Sequence, residues 1–405
     1  MIRKAFAALV PAFLLTACAS QEAPDTNAPT TPPAAVVMTF DKETITPLIV
    51  EGVRNFETNE PVEANDPVRI ASISKLIMAL ATMRLVDEGK IDLDTDVSEY
   101  LGFTLRAPGY PDTPVTLAQI LMHRAGLRDA SGYVIPLGVS LEAKFDDPAS
   151  WYADAPPGKA PFEYSNLGSS VVATALEGAT GERYDALVER TVFEPIGVEG
   201  CLNWVGCSDE TIARAVALYR HTGEPARDYP GDLPPGCSLP VADGTECTLE
   251  GYEPGTNASV FSPQGGVRIG MSDLSKIGQA ILTAGETGFL KPATLERFMG
   301  SPAMGMNESQ EFFCAYGLGL QQIEVTRPEC LDKLIGGETA YFGHPGEAYG
   351  LQSGLYVSAD GEDGFLYFRT QVPPPVGGED TGGFVQGEKD LMARAFAALA
   401  KQKGK

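Results

Sequence analysis

The chain has 405 residues, of which 43% are hydrophobic and 21% are charged, as is usual for a globular protein. Its formal net charge of −24 repels phosphate backbones and anionic lipid headgroups. This charge argues against a nucleic-acid partner and is typical of an acidic, soluble surface.

The N-terminus is typical of a targeting signal. Arg3 and Lys4 precede an apolar run from Ala5 to Leu15 that is too short to span a bilayer comfortably. The run ends in Leu15-Thr16-Ala17-Cys18, which resembles the bacterial lipobox, where cleavage precedes the Cys and the Cys is acylated. Plain secretion and a buried helix are the alternatives. We predict a signal peptide over residues 1–17 and a lipid anchor on Cys18.

This anchor would be the protein's one link to a membrane and would place it in the bacterial cell envelope, facing the periplasm. Ala19 is not the aspartate that signals inner-membrane retention in enterobacteria, so outer-membrane sorting is the default. Residues 18–37 are rich in Pro, Thr and Ala, and they predict a flexible tether to a catalytic domain over residues 38–405. Nothing in the sequence indicates the oligomeric state.

The first candidate motif is Ser72-Ile73-Ser74-Lys75, at the start of an apolar run from Leu76 to Val86. The run predicts a buried helix that ends at Gly89. Positions i and i+3 share a helix face, so Ser72 and Lys75 can meet, and the helix N-terminus favours developing negative charge. A weak nucleophile with a base in reach is what acyl transfer needs. The alternative is an ordinary solvated Ser and Lys at a helix start.

The second candidate motif is Tyr164-Ser165-Asn166. Of the 14 Tyr residues, Tyr164 alone is followed two positions later by Asn. The chain has three His and no Gly-x-Ser-x-Gly elbow, so a Ser-His-Asp triad has little support and a different base is needed. Asn166 could instead be a turn residue that satisfies its own backbone.

Cysteine usage indicates an oxidising compartment. Without Cys18, the seven Cys leave an even number, in three close pairs: Cys201/Cys207, Cys237/Cys247 and Cys314/Cys330. We predict disulfides between these nearest neighbours, although sequence alone does not fix the connectivity. A zinc site is the weaker alternative because no Cys-x-x-Cys or paired His accompanies them, and we expect no metal and no cofactor.

The third candidate motif is Gly343-His344-Pro345-Gly346-Glu347. Together, Ser-x-x-Lys, Tyr-x-Asn and this motif resemble the serine hydrolases related to class C β-lactamases and low-molecular-weight penicillin-binding proteins, a group with esterase and D-aminopeptidase members. In that family the third motif is Lys/His-Thr/Ser-Gly on a strand beside the active site. The resemblance begins near residue 68, is interrupted over 206–254, and includes four stretches outside the chemistry: 115–127, 193–197, 264–267 and 316–320.

The resemblance implies roles for these residues. Ser72 would be the nucleophile that forms an acyl-enzyme, and Lys75 would hydrogen-bond it and favour ionisation of Tyr164. Either Lys75 or Tyr164 would remove the proton. Asn166 would hold Lys75 or a substrate amide, and the N–H groups of Ser72 and Glu347 would form the oxyanion hole, with Gly346 before Glu347.

His344 and Pro345 depart from the family's more familiar Lys and Thr or Ser. His344 would either donate to a polar substrate group or shape the cleft. Pro345 has neither hydroxyl nor N–H to bind the carboxylate of a β-lactam or a D-Ala-D-Ala peptide. Efficient β-lactam turnover is therefore disfavoured. His123 is expected to pack locally.

The fold that the resemblance implies is α/β (α+β), an antiparallel sheet flanked by helices with an inserted, mostly helical lobe, as in β-lactamases and transpeptidases. The runs 351–357 and 365–372 predict a hairpin, and 391–401 a closing helix. The segment before Ser72 shows no clear helix or strand pair. Residues 206–254, dense in Pro and Gly, predict an insertion that either borders the cleft and sets specificity or is inert surface.

These motifs predict a serine hydrolase that cleaves an ester or amide bond in a small molecule or peptide. Esterase or D-amino-acid peptidase activity is favoured over β-lactamase activity because of Pro345. The alternative is a non-catalytic envelope lipoprotein that binds cell-wall fragments. The intact set of Ser72, Lys75, Tyr164 and Asn166 argues against that alternative.

Overall fold

The computed structural model describes residues 33–226, 239–307, 310–373 and 383–403. The predicted signal peptide, Cys18, most of the predicted tether and Cys237 lie outside these ranges. In the described part of the chain, no helix is both long enough and apolar enough to cross a bilayer.

The centre of the fold is an antiparallel sheet, which within the described residues has seven strands in the order β2-β1-β12-β11-β10-β9-β8. Two small sheets accompany it: the pair β3-β4 and the three-stranded β5-β7-β6. The strands are β1 (Ala35–Asp41), β2 (Ile45–Glu51), β3 (Val53–Asn55), β4 (Glu60–Pro61), β5 (Val68–Arg69), β6 (Gly200–Leu202), β7 (Val267–Ile269), β8 (Ala315–Tyr316), β9 (Gln321–Ile323), β10 (Tyr341–Ala348), β11 (Leu351–Ser358) and β12 (Asp363–Arg369).

Helices cover both faces of the large sheet and also form the inserted lobe. They are α1 (Ile73–Asp87), α2 (Leu117–Leu121), α3 (Leu167–Thr180), α4 (Tyr184–Val188), α5 (Glu194–Ile196), α6 (Asp209–Arg214), α7 (Met271–Leu282), α8 (Ala284–Thr287), α9 (Pro292–Met304) and α10 (Gln386–Lys403). The predicted antiparallel sheet flanked by helices is confirmed.

Alternation along the strands explains why the sheet is covered on both sides. In β1, Val36 and Met38 belong to the large core that contains α1 and α7, whereas Val37 belongs to a smaller core that contains α10. Successive side chains of a strand point to opposite faces, so each strand contributes to both cores. The sheet is therefore a buried and rigid support for the strand that carries the third motif.

The structure also corrects the expectations for the N-terminal segment. The predicted tether boundary at residue 37 falls inside β1, where Val36 and Val37 are fully buried and pair with Phe368 and Tyr367 of β12. The strand pair that was not evident before Ser72 is present as β1 and β2. The two strands pair with each other as neighbours, and β1 also pairs with the distant β12. They were not evident because β1 is buried on both faces and so lacks the polar and apolar alternation that marks a half-buried strand.

The described parts of the 206–254 insertion are packed against the domain rather than lying inert on its surface. Val216 donates its N–H to Pro67, and Leu218 is fully buried. The later part meets the loop after α2, where Leu137 donates its N–H to Pro240 and forms a bridge with Val241. The insertion therefore supports a loop that, as shown below, enters the candidate site.

The structure contains the disulfides Cys201–Cys207 and Cys314–Cys330, with Cα–Cα distances of 5.2 and 6.1 Å. Both match the nearest-neighbour prediction. The predicted pairing of Cys247 with Cys237 involves a residue outside the described ranges and stays a prediction. Disulfides of this kind persist in oxidising compartments, which fits an extracytoplasmic location.

Candidate active site

Ser72 lies at the N-terminus of α1, as the sequence predicts. Its side chain forms no capping hydrogen bond with the helix backbone, so the hydroxyl is left for other partners. Ala71, the preceding residue, has a φ of 49°, in the left-handed region that few non-glycine residues occupy. Strain of this kind persists where the surrounding structure holds it, often at functional sites. The turn places Ser72 at the start of the helix beside β10.

Lys75 lies one turn further along α1 and its side chain is 2% exposed. Its Nζ donates to Ser72 Oγ at 3.2 Å, to Asn166 Oδ1 at 2.7 Å and to the carbonyl of Gln264 at 3.1 Å. Ser74 faces the other way and accepts a hydrogen bond from the N–H of Val267. The predicted contact between Ser72 and Lys75 is therefore present, with the amine enclosed by oxygen acceptors.

Tyr164 lies against the same amine. Lys75 Nζ is 4.7 Å from the centroid of its ring, and the phenol hydroxyl hydrogen-bonds Ser72. The other two motif residues continue into α3, where Asn166 is the N-cap position. The structure thus brings Ser72, Lys75, Tyr164 and Asn166 together, although the first and last are more than 90 residues apart in the sequence.

Asp129, which no sequence motif singled out, holds this second motif in place. Its Oδ2 accepts hydrogen bonds from both the N–H and the Nδ2 of Asn166, each at 2.9 Å. Its Oδ1 accepts from Ser165 Oγ at 3.0 Å and from the N–H of Leu167 at 2.9 Å. Asn166 therefore holds Lys75 with one end of its amide and is held by Asp129 with the other.

His123 packs behind the motif, in agreement with the expectation that it is structural. Its Nδ1 accepts a hydrogen bond of 3.1 Å from the N–H of Ser165, and its ring lies 4.6 Å from that of Tyr164. It is 8% exposed. The ring thus fixes the backbone of the second motif and contributes to the wall behind the phenol.

His344 is fully buried, and both of its ring nitrogens contact protein atoms. Nδ1 lies 2.6 Å from the carbonyl of Pro345 and Nε2 lies 2.9 Å from the hydroxyl of Tyr316. A carbonyl only accepts, so Nδ1 carries the proton and Nε2 accepts from Tyr316. The expectation that His344 donates to a substrate is therefore wrong in this structure, because burial leaves no ring N–H exposed. The alternative, that His344 shapes the cleft from behind, agrees with this placement.

Gly346 brings β10 against the segment before the nucleophile. A Cβ at this position would lie 2.4 Å from the carbonyl oxygen of Ile70 and 3.3 Å from Ala71 Cβ, so only glycine allows this approach. Ser353 Oγ, on the neighbouring strand, donates to the same carbonyl at 3.0 Å. The backbone of β10 therefore passes beside Ser72, and the next residue, Glu347, is exposed.

Burial sets the protonation of the site. It lowers the pKa of Lys75 from 10.5 to about 7, although the charge of Asp129 opposes this shift. Burial also raises the pKa of Tyr164 above its ordinary value, although the hydrogen bond with Ser72 acts in the opposite direction. Burial therefore opposes the ionisation of Tyr164 that the resemblance implies. Burial lowers the pKa of His344 to about 3, so this ring is neutral at physiological pH.

Two further features of the site carried no sequence signal. The ring of Phe313 stacks on Tyr164, and the carbonyl of Gln264 contacts Lys75. Gln264 lies in a stretch that resembles the family, but its contact uses a backbone atom, which any residue type offers. Within the described ranges, no group of three or more His, Cys, Asp or Glu side chains is arranged to hold a metal ion.

Comparisons with known proteins agree with this geometry. Esterase EstB of Burkholderia gladioli is 30% identical over 208 residues, which are 48% of this chain and 51% of the esterase. The D-alanyl-D-alanine-carboxypeptidase/endopeptidase AmpH of Escherichia coli K12 is 31% identical over 136 residues, 33% of this chain and 35% of AmpH. The alignments thus span about half or less of these relatives.

The fold is shared with solved structures. The D-amino acid amidase of Ochrobactrum anthropi SV3, in complex with D-phenylalanine, superposes with a TM-score of 0.62, with 18% identity over 92% of this chain and 95% of the amidase. The family model described as Beta-lactamase matches residues 27–384. The three motifs, the fold and this match together show that the chain belongs to the Beta-lactamase family.

Proposed function

We propose that the chain hydrolyses an ester or amide bond through an acyl-enzyme on Ser72, and that ester or D-amino-acid peptide substrates are favoured over β-lactams. One observation carries this proposal: the Ser72 hydroxyl contacts both a buried amine with a pKa of about 7 and the hydroxyl of Tyr164. A serine becomes a useful nucleophile when a neighbouring base accepts its proton.

Lys75 is the base in this proposal. Because its pKa is about 7, a large share of the amine is neutral at physiological pH and accepts the Ser72 proton as Oγ bonds to the substrate carbonyl carbon. Tyr164, which is protonated, donates its proton to the leaving group as the ester or amide bond breaks, and Lys75 returns a proton to Tyr164. Water then attacks the acyl-enzyme by the same proton transfers in reverse and regenerates Ser72.

The oxyanion would be stabilised by the backbone N–H groups of Ser72 and Glu347. The close approach of Gly346 to the carbonyl of Ile70 supports this role, because it aligns β10 beside the nucleophile. The N-terminus of α1 adds partial positive charge at the same place. Both donors belong to rigid elements, so little reorganisation accompanies the reaction.

The preference for esters and D-amino-acid peptides is supported by the third motif and by the relatives. Pro345 offers no hydroxyl to a substrate carboxylate, and buried His344 offers no exposed N–H. The relatives include a protein named as an esterase. A third motif without these groups favours substrates whose recognition does not depend on a free carboxylate beside the scissile bond.

Labelling with a fluorophosphonate tests the nucleophile. We expect the wild-type protein to be labelled, Ser72→Ala to lose the label, and the matched control Ser74→Ala to keep it, since Ser74 Oγ faces Val267 instead of the cleft. Equal labelling of wild type and Ser72→Ala would contradict catalysis by Ser72 and would favour the alternative of a lipoprotein that binds cell-wall fragments. A panel of p-nitrophenyl esters and D-amino-acid amides then separates esterase from peptidase activity.

Envelope anchoring through Cys18 is part of the same proposal. The lipobox resemblance supports it, and the disulfides fit an extracytoplasmic location. Palmitate incorporation and sensitivity of processing to globomycin test it, with Cys18→Ser as the control. The absence of both in the wild-type protein would rule out the anchor.

A further inference from the structure

We propose that Asp129 is a positioning residue for the reaction at Ser72, which fixes the side-chain amide of Asn166 so that its oxygen faces the amine of Lys75. The inference rests on the proposed function. The hydrogen bonds of Asp129 reach neither the nucleophile nor Lys75, so it positions the amine through Asn166.

The first step of the argument is the orientation of the Asn166 amide. Its Nδ2 donates to Asp129 Oδ2 at 2.9 Å, and its Oδ1 accepts from Lys75 Nζ at 2.7 Å. A carboxylate only accepts hydrogen bonds, so the group of the amide that faces Asp129 must be the NH₂. Reversing the amide would place its carbonyl against the carboxylate. Asp129 therefore permits only the observed orientation, in which the amide oxygen faces Lys75.

The second step is the rigidity of the carboxylate itself. Each oxygen of Asp129 accepts two hydrogen bonds, from Ser165 Oγ and the N–H of Leu167 at Oδ1, and from two groups of Asn166 at Oδ2. The N–H groups belong to the first turn of α3, where the helix dipole also favours a negative charge. A carboxylate held on both oxygens keeps the amide, and hence the amine, in one place relative to Ser72.

The third step is electrostatic. The charge of Asp129 opposes the effect of burial and keeps the pKa of Lys75 higher than burial alone would. The other titratable groups that face Lys75 are Tyr164, His123 and His344, and burial keeps all three neutral near pH 7. Asp129 is therefore the anionic group whose removal is expected to change the protonation of Lys75.

Asp129→Asn separates this role from a merely structural one. We expect the rate of fluorophosphonate labelling to fall on the order of tenfold, since coupled residues of one network interact strongly. The labelling rate is expected to rise with pH as Lys75 loses its proton, and this rise is the acidic limb of the pH profile. Without the negative charge the pKa of Lys75 falls, so the acidic limb shifts to lower pH. The same shift should appear in kcat/KM for a p-nitrophenyl ester, with the loss in kcat larger than the change in KM.

Three further variants make the test specific. Asp129→Glu restores the charge with a displaced carboxylate, so the acidic limb should return toward its wild-type position while the rate stays reduced. In an Asn166→Ala background, Asp129→Asn should add little to the loss of rate measured above the acidic limb, because the positioning effect passes through the amide. The shift of the limb, which acts through space, should remain. Glu177→Gln, which changes another buried carboxylate bonded to backbone N–H groups, should leave the acidic limb unchanged.

An unshifted limb in Asp129→Asn, or additive losses in the double variant, would overturn the proposal. Thermal unfolding is measured for each variant. If neither Asp129→Asn nor Asp129→Glu folds, the carboxylate is needed for folding and the proposal is also overturned. Ser72→Ala is run in parallel. If it keeps label and activity, the proposed function fails whatever Asp129 does, so the two failures are distinguishable.

Discussion

The ring of Phe313 lies parallel to the ring of Tyr164, with centroids 4.9 Å apart and planes within 3°. Lys75 Nζ lies 4.7 Å from the centroid of the same phenol ring. The phenol is thus held between an amine and an aromatic side chain. Phe313 precedes Cys314, whose disulfide with Cys330 fixes the segment that carries the ring. The position of the phenol therefore depends on a residue outside all three motifs.

Phe313→Ala should slow labelling of Ser72 by on the order of tenfold, because a small displacement of a catalytic group is costly in rate. Water replaces the lost ring, so the pKa of Tyr164, which burial raises, should fall. The decline of the labelling rate at high pH, where Tyr164 loses its proton, should then begin at a lower pH. Phe396→Ala is the control, since this half-buried ring packs against Phe365 in the smaller core beside α10. Similar rates for the two variants would show that the stacking has no effect on the site.

The rate of acylation should follow the ionisation of Lys75. Its pKa is about 7 because of burial, so kcat/KM should rise about tenfold per pH unit below pH 7 and level off above it, where the amine is neutral. Lys75→Arg should lose this limb together with most of the activity, since Arg stays protonated. Tyr164→Phe should keep the limb at a reduced rate. An acidic limb that survives in Lys75→Arg would assign it to another group.

Stability should fall in acid partly because of His344. Burial lowers its folded pKa to about 3 from 6.5, so only the unfolded state binds a proton between these values. The free energy of unfolding should therefore decrease as pH falls below about 6.5, by about 1 kcal/mol per pH unit from this group. Urea unfolding of His344→Gln at pH 7 and pH 5 should show a smaller decrease than the wild type.

His221→Gln is the control for that comparison, because His221 is exposed. It should reproduce the wild-type decrease. Burial also lowers the pKa of His123, so this residue contributes to the loss of stability in acid in both variants. Equal decreases for His344→Gln and the wild type would contradict the neutral, buried state of this ring.

Nitrocefin should be a poor substrate of the wild-type protein, because Pro345 offers no hydroxyl to the carboxylate of the β-lactam. Pro345→Thr should raise the rate of nitrocefin acylation by on the order of tenfold, about the effect of one hydrogen bond to a charged group. The rate on a neutral p-nitrophenyl ester should change little, which serves as the internal control. Rapid nitrocefin turnover by the wild type would refute the inference from Pro345.

Local signals in the sequence predicted the parts of the fold that depend on neighbours in the chain. The apolar run after Lys75 became α1 and ends before Gly89, whose φ is 70°. The runs predicted as a hairpin became β11 and β12, and the closing helix became α10. Each of these elements is a run with a distinctive composition that lies beside turn or glycine residues, so it is visible without knowing any distant partner.

Contacts between distant segments left no such signal. Asp129 is an ordinary acidic residue in the sequence, and its importance comes from hydrogen bonds to groups 36 to 38 residues away. The burial of His344 depends on Tyr316 and the adjoining rings. The third motif alone therefore does not reveal that the ring is shielded from a substrate. The pKa of Tyr164 likewise depends on the amount of protein around the phenol, which composition does not reveal.

The pairing of β1 with β12 determines when this protein can complete its fold. Thr39 Oγ1 donates to the carbonyl of Gly364 across 325 residues, so the first strand finds its partner only after nearly the whole chain is available. Contacts of such high sequence separation slow folding, because a long loop must close before they form. A chain cut short before residue 363 would contain Ser72, Lys75, Tyr164 and Asn166 yet lack the strand that joins β1 to β11. Possession of the three motifs is therefore insufficient for activity, and a C-terminal truncation is expected to be inactive although every candidate catalytic residue is intact.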